Sequence, residues 1–394
     1  MNKNKVHIYI TNAGGGNFTT GKALQAYLNK MGYDAIIINF YKEIFKTFES
    51  VFLAETMYNF MLKYNLFRLI NLYVKLCIKL SILYKHSCSN KLQQFFDETK
   101  PSMVISIIGG YNYIIEEVCR TNNVPFYLFC TDIDISNYIC RMSNTQLERI
   151  NVITDIGSTI EQKNIISKIN NVKPIGIILR EQFYEEKNKL DLKLKYNIDQ
   201  NDFVIMIMMG SLGANNIIQC VKALKLPANV HLLIMTGYNS ELKNCLNDLP
   251  QFSGTSKEDQ KQQFSKASKE DQKQQFSHSK TSLIEYTEKI SDLMAITDLL
   301  ITKPGGLTIF EGIHFKIPFI FDRTNGLLFW EEVNGDYVVK SGGGIFLESY
   351  EDLNCIVNKF IDDISHYNSY KKSISCLKPK DNPLDSFLKM INNK

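Results

Sequence analysis

The chain has 394 residues, of which 44% are hydrophobic and 22% charged, with a formal net charge of +4. That length accommodates two domains of ordinary size, and the nearly balanced charge excludes the global basic signature of a nucleic-acid-binding protein. The nine cysteines are odd in number and scattered, with no C-x-x-C pair. This argues against a disulfide framework or zinc site and for a reducing compartment. No signal peptide is read, because the apolar stretch after Lys5 runs only from Val6 to Ile10. No uncharged apolar run reaches the length of a membrane span.

The first predicted elements are a strand over Val6 to Ile10, a glycine loop from Thr11 to Phe18, a helix over Thr19 to Met31 and a strand over Ala35 to Phe40. Strand, glycine loop, helix, strand opens a doubly wound α/β domain. Gly16 to Lys22 matches most of the phosphate loop G-x-x-x-x-G-K-[ST]. The last position is Ala23, so the hydroxyl that would hold magnesium is missing, and a triphosphatase is disfavoured.

Residues 41–96 differ in character. Tyr58 to Lys85 is rich in Leu, Ile, Phe and Tyr, interrupted by Lys63, Arg68, Lys75 and Lys79, and no Asp or Glu occurs between Glu55 and Asp97. Apolar and aromatic helices with positive charge and no acid fit an anionic membrane surface. The competing reading is a core-packed pair of helices whose lysines reach out to water.

Strands follow at Met103 to Ile108, ending on Gly109-Gly110, and at Pro125 to Cys130, ending on Thr131-Asp132. Catalytic groups of open α/β sheets collect at the carboxyl ends of strands. Asp132 and Asp134 are therefore candidates, although either could simply cap a turn. Asn151 to Thr154 and Val172 to Ile178 complete the first half, and the polar stretch 181–201 reads as a linker.

A second α/β half begins with a strand over Phe203 to Met209 and a glycine loop, Gly210 to Ala214. A strand over His231 to Met235 and a helix over Ser240 to Leu246 come next. Within residues 253–280, Ser256 to Ser265 recurs unchanged at Ser268 to Ser277, a low-complexity duplication to which no chemistry is assigned. A strand from Ser282, a helix over Ile290 to Ile296 and a strand over Leu299 to Ile301 lead into Lys303-Pro-Gly-Gly-Leu-Thr308, where a helix starts. Free N–H groups at such a start suit a phosphate, and Glu311 could take the hydroxyls of a ribose. An ordinary strand-turn-helix junction explains the same residues equally well. Pro318 to Phe321 is a further strand, Glu331 and Glu332 are expected in a loop entering a helix, and the last 40 residues read as helical.

Five motifs in order carry a resemblance. They are Gly210-Ser-Leu-Gly-Ala214, Gly237-Tyr-Asn239 with Leu242, Tyr286 to Met294, Thr297 to Glu311, and Glu331-Glu332 with Asn334 to Tyr337. They resemble the G-S-x-G-A, G-x-N-x-x-L, G-F-T-x-x-M-x-x-L-M, A-D-x-x-I-T-K-A-G-x-x-T-x-x-E and E-E-x-N-A-x-Y segments of glycosyltransferase family 28. That is the group of the diacylglycerol glycosyltransferases and the lipid-linked N-acetylglucosaminyl transferase. The resemblance implies a GT-B fold: two Rossmann-like doubly wound domains facing a cleft. On it, residues 1–180 are the acceptor- and membrane-binding domain, 202–375 the UDP-sugar-binding domain and 376–394 a C-terminal helix.

The resemblance further implies a UDP-sugar-binding set of Gly16, Arg180, Gly210, Ser211, Gly237, Asn239, Tyr286, Thr287, Lys303, Gly305, Gly306, Leu307, Thr308, Glu311, Glu331 and Glu332. Tyr286 lies in the uracil-contacting segment, Glu311 on the ribose, Thr308 and its neighbouring N–H groups on the diphosphate, and Glu331 and Glu332 on the sugar. It implies an inverting, metal-independent transfer of a hexose to a lipid hydroxyl, most simply diacylglycerol, on the cytoplasmic face of a membrane. A polyprenyl-linked acceptor, a UDP-sugar 2-epimerase and a non-catalytic UDP-sugar binder are the alternatives. The first half departs from the pattern: Asn17 stands where the family has histidine, Gly109-Gly110 where it often has H-P, and Trp330 replaces a glutamine. Asparagine cannot act as a base. Asp132, in the retained Thr131-Asp132, is the expected base if burial raises its pKa, with Asn17 beside it.

Overall fold

The computed structural model describes residues 4–46, 52–249, 274–276 and 280–392. Two open sheets carry the fold. The first contains β1 (Lys5–Ile10), β2 (Asp34–Asn39), β3 (Met103–Ser106), β4 (Phe126–Phe129), β5 (Asn151–Thr154) and β6 (Asn171–Pro174), in the order β2-β1-β3-β4-β5-β6. The second contains β7 (Phe203–Met208), β8 (Val230–Gly237), β9 (Gln274–Phe276), β10 (Thr281–Glu285), β11 (Leu299–Thr302), β12 (Phe319–Asp322) and β13 (Gly344–Leu347). Its order is β13-β12-β11-β7-β8-β10-β9. Every pairing is parallel except β9 with β10.

The central strands are continuous apolar runs because helices cover both faces. Residues 204–208, Val-Ile-Met-Ile-Met, and 299–301, Leu-Leu-Ile, are all buried. Four helices position the site: α1 (Gly16–Lys30), α2 (Phe67–Leu80), α3 (Gly306–Phe315) and α4 (Phe329–Lys340). In each sheet the strand order reverses between two loops, after β1 and β3 in the first and after β7 and β11 in the second. Such switch points open a crevice at the carboxyl ends of the strands, and here the two crevices face each other.

Several boundaries differ from expectation. Helix α1 begins at Gly16, three residues early, so Gly16 to Lys22 is helix and no phosphate loop. Gly21 packs against Ile10, where a Cβ would come within 2.6 Å of the Ile10 Cγ2. Glu331 and Glu332 lie in the first turn of α4 and not in a loop. Glu311 lies in the second turn of α3. The polar stretch expected as a linker contains a helix, Lys189–Lys195. Its flanks are tied down by Lys187 and Lys195, whose Nζ atoms lie 2.8 and 2.9 Å from the Asp292 carboxylate. Charge hid that helix from a reading based on apolar spacing. The last helix, Pro383–Asn392, returns to the first half, with the Phe387 ring 6.5 Å from that of Phe129 in β4. The duplicated decamers lie outside the described residues, apart from Gln274–Phe276.

Candidate active site

A cavity of 670 Å³ lies between the two crevices, within the usual range for small-molecule sites. Two helix N-termini point into it. Neither α1 nor α3 has a side-chain cap; glycines, Gly15 and Gly305, hold the cap positions. The first N–H groups of each helix are therefore free to meet an anion. The loops approach so closely that only glycine fits. A Cβ on Gly306 would collide with the Thr131 carbonyl and reach within 2.7 Å of Asp132 Oδ1. A Cβ on Gly15 would collide with Ser211 Oγ. Helix α3 of the second half thus starts directly against the end of β4 in the first.

Charged groups line the second half's wall. Arg180 Nη2 lies 2.9 Å from Glu311 Oε1, and Arg180 Nε is buried without a hydrogen-bond partner. Burial raises the Glu311 pKa, and the Arg180 guanidinium opposes that rise. Lys303 Nζ pairs with Glu331 Oε1, while Glu331 Oε2 is buried and unpartnered. An unmatched buried carboxylate oxygen is costly unless a ligand supplies a donor. Tyr238 and Tyr286 stack at the rim, centroids 4.2 Å apart and planes 15° from parallel.

The first half's wall is a hydrogen-bond network. Tyr138 Oη donates to Asp132 Oδ2 at 2.9 Å, and Asn334 Nδ2, from α4, donates to Asp132 Oδ1 at 2.9 Å. Asn334 also accepts from the Ile133 N–H at 2.8 Å, so one second-half side chain grips the segment that carries Asp132. Thr131 Oγ1 lies 2.8 Å from Tyr138 Oη and donates to Asn17 Oδ1 at 3.2 Å. Asp132 opens onto the cavity but is otherwise enclosed by protein. Desolvation raises its pKa, the hydrogen bonds from Asn334 and Tyr138 pull it down, and the nearby Glu331 charge raises it further.

The cavity brings together Gly16, Asn17, Asp132, Arg180, Gly210, Ser211, Gly237, Tyr286, Thr287, Lys303, Gly305, Gly306, Leu307, Thr308, Glu311 and Glu331. Three expected residues are elsewhere. Asn239 is buried as a cap, accepting from the Leu242 N–H and donating to the Gly213 carbonyl, both at 3.0 Å, so it braces the glycine loop from behind. Glu332 points to solvent, because adjacent helical residues diverge by about 100°. Asp134 turns away to Gln162 and the Ser136 N–H. Tyr138 and Asn334 carry roles that no residue-level reading assigned. Asn334 stood inside a quoted motif, and nothing in the sequence marked Tyr138.

Of the four basic residues expected at a membrane, Lys63 lines the cavity and pairs with Glu241 at 2.8 Å. Lys75 Nζ lies 5.5 Å from the Phe329 ring centroid. Arg68 and Lys79 are exposed. Beside them α2 presents Leu69, Leu72 and Leu76 to solvent, with Leu72 67% exposed and Leu83 further on 73%. Among the described residues, no helix is long and apolar enough to cross a membrane, and no group of three or more His, Cys, Asp or Glu is placed to hold a metal ion.

Comparison with known proteins agrees with this fold. Residues 204–373 match the glycosyltransferase family 28 C-terminal domain. The chain is 25% identical over 385 residues to the processive diacylglycerol beta-glucosyltransferase of Bacillus pumilus, covering 96% of this chain and 92% of that protein. It is likewise 25% identical over 389 residues to the Bacillus subtilis protein of the same name, with the same coverage. Among solved structures, Acinetobacter baumannii MurG aligns over 99% of both chains with a TM-score of 0.58 at 12% identity. An Arabidopsis thaliana UGT complexed with UDP-L-rhamnose aligns over 100% of this chain and 99% of its own, with a TM-score of 0.60 at 10% identity. The chain is a GT-B glycosyltransferase whose residues 204–373 form a glycosyltransferase family 28 C-terminal domain.

Proposed function

We propose that this protein is a membrane-associated, inverting transferase that moves glucose from UDP-glucose to the hydroxyl of diacylglycerol. The observation that carries the proposal is the meeting of Asp132 with the uncapped start of α3. A carboxylate of raised pKa and a phosphate-type helix terminus open onto one cavity, in contact across Gly306. The names of the relatives supply the sugar and the acceptor.

In this reading Glu311 takes the ribose hydroxyls and the α3 N–H groups take the diphosphate. Glu331 Oε2 accepts from a sugar hydroxyl. The Asp132 carboxylate removes the proton of the acceptor hydroxyl as its oxygen attacks the anomeric carbon. The bond from that carbon to the diphosphate oxygen breaks, and UDP leaves with the electron pair. The helix terminus, Lys303 and Arg180 stabilise the charge that develops. Asn17 replaces the family's histidine and joins the Thr131–Tyr138 network beside the base; it transfers no proton itself. The exposed leucines of α2, flanked by Arg68 and Lys79, rest on an anionic bilayer surface.

The test is UDP release with UDP-glucose, UDP-galactose and UDP-N-acetylglucosamine, each with and without diacylglycerol in anionic vesicles. Release that needs both UDP-glucose and the lipid is expected. UDP binding with no release from any combination would overturn the proposal.

A further inference from the structure

The cavity does not end at Asp132. It passes Gly109-Gly110 and Tyr138 and continues beneath the helices of residues 58–99. There it becomes an arm walled by Tyr41, Phe45, Tyr73, Cys77, Ile78 and Tyr111. The aromatic side chains pack on one another: Tyr41 stacks on Phe45 at 5.9 Å, and Tyr111 meets Phe45 edge-on at 5.3 Å. No Asp or Glu lies between residues 55 and 97, the stretch that supplies much of the wall.

Helix α2 is apolar on two faces. Tyr73, Val74, Cys77 and Ile78 line the arm. Leu69, Leu72 and Leu76 lie on the other side and are exposed. At about 100° per residue these sets are distinct faces. A soluble surface helix needs only one apolar face. The outer face suits a bilayer surface, but it does not account for the inner one.

We propose that the arm holds one acyl chain of the acceptor lipid, drawn out of the bilayer. This rests on the reading of the protein as a diacylglycerol glucosyltransferase. Asp132, the group assigned to the acceptor hydroxyl, lines the same cavity as the arm and is tied to it through Tyr138, so an occupant of the arm belongs to the acceptor and not to the nucleotide. Its wall is mainly aromatic and aliphatic surface, which suits hydrocarbon better than a sugar or polar headgroup; of the polar side chains beside it, Ser81 Oγ is engaged on the Ile78 carbonyl and Lys91 Nζ on the Phe45 carbonyl. The chain anchored there sets the depth of the glycerol hydroxyl relative to Asp132, while the outer leucines keep the bilayer beside the entrance.

The test uses the full-length wild-type protein with UDP, on vesicles of phosphatidylcholine and phosphatidylglycerol containing a diacylglycerol with a diazirine at the end of one acyl chain. After irradiation, mass spectrometry locates the cross-links. The expected sites are Tyr41, Phe45 and Cys77, with labelling competed by dioleoylglycerol. Cross-links confined to Leu69, Leu72, Leu76 and Leu83 would overturn the arm. A second measurement compares acceptors of different length. In Cys77→Trp, kcat/KM for dioleoylglycerol relative to dioctanoylglycerol is expected to fall by about tenfold or more, whereas Leu190→Trp, at an exposed position of the Lys189–Lys195 helix, leaves that ratio near the wild-type value. An equal ratio in Cys77→Trp and wild type would also overturn the arm. The two readings fail separately. Transfer to diacylglycerol with cross-links only on the outer face removes the arm and keeps the function. Cross-links in the arm without transfer to any lipid keep the lipid site and remove the assigned reaction.

Discussion

The two walls of the cleft are built from different materials. The second half meets its ligand with backbone and fixed charge: the open start of α3, the glycine loop after β7, Arg180 paired with Glu311, and Lys303 paired with Glu331. The first half presents a linked set of side chains, Asn17, Thr131, Tyr138 and Asp132, backed by aromatic and aliphatic surface. A diphosphate is the same in every UDP-sugar, so its wall can be rigid and generic. An acceptor differs from enzyme to enzyme, and its wall is correspondingly individual. The difference suggests a division of labour in which one wall holds the donor and the other supplies the base and the acceptor site.

The sharpest break in that division is Asp132→Asn, which preserves shape and removes the proposed base. Its kcat is expected to fall by about 10²–10⁴-fold, read as UDP release at saturating donor. The wild-type pH profile belongs with it. Desolvation raises the Asp132 pKa, so the proposed base is protonated at a higher pH than an ordinary aspartate, and the acid limb of kcat/KM is expected to be displaced upward accordingly. Tyr138→Phe removes a hydrogen bond that favours the charged form, so that limb should move to still higher pH.

Next comes Glu311→Ala. It removes the carboxylate proposed to take the ribose and leaves the half-buried Arg180 without its partner. A hydrogen bond to a charged group is worth about 1.5–3 kcal/mol, so the Kd for UDP in a calorimetric titration is expected to rise by roughly one to two powers of ten. Asn334→Ala tests a side chain that joins the two walls. Losing its bonds to Asp132 and Ile133 is expected to lower kcat by about tenfold, the equivalent of about 1.4 kcal/mol, and to move the acid limb upward with little effect on the UDP Kd. The smallest effect is on the outer face of α2. Leu72→Ser with Leu76→Ser is expected to weaken sedimentation with anionic vesicles several-fold while changing folding stability by about 0.5 kcal/mol or less, as for other exposed positions.

The same contrast decides what was legible in the sequence. The second half could be read because its chemistry needs glycine, lysine and glutamate at fixed offsets from a buried strand, and strands such as Leu299–Thr302 announce themselves by unbroken apolar character. The doubly wound halves followed from the same strand and glycine pattern. Two residues there lie off the cavity for different reasons: Glu332 is adjacent to Glu331 in sequence but faces solvent by helical phase, and Asn239 caps a helix and braces a loop from behind. In the first half, Asp132 was legible from its place at a strand end. Its partners were not, because Tyr138 folds back onto it from six residues on through an irregular turn, and Asn334 reaches it across 202 residues. The acid-free stretch of residues 56–96 signalled an apolar environment. It did not signal that α2 has two apolar faces, since an inner face lining a cavity and an inner face packed in a core have the same composition.

The division of labour itself is tested most directly by measuring UDP affinity and the rate at saturating donor on two variants side by side. A crossed pattern is predicted: Asp132→Asn binds UDP within about threefold of wild type and turns over at least about 100-fold more slowly, while Glu311→Ala binds weakly and recovers most of its rate once saturated. If both variants lost affinity and rate in the same proportion, the two walls would not have separate tasks, and the account would be contradicted.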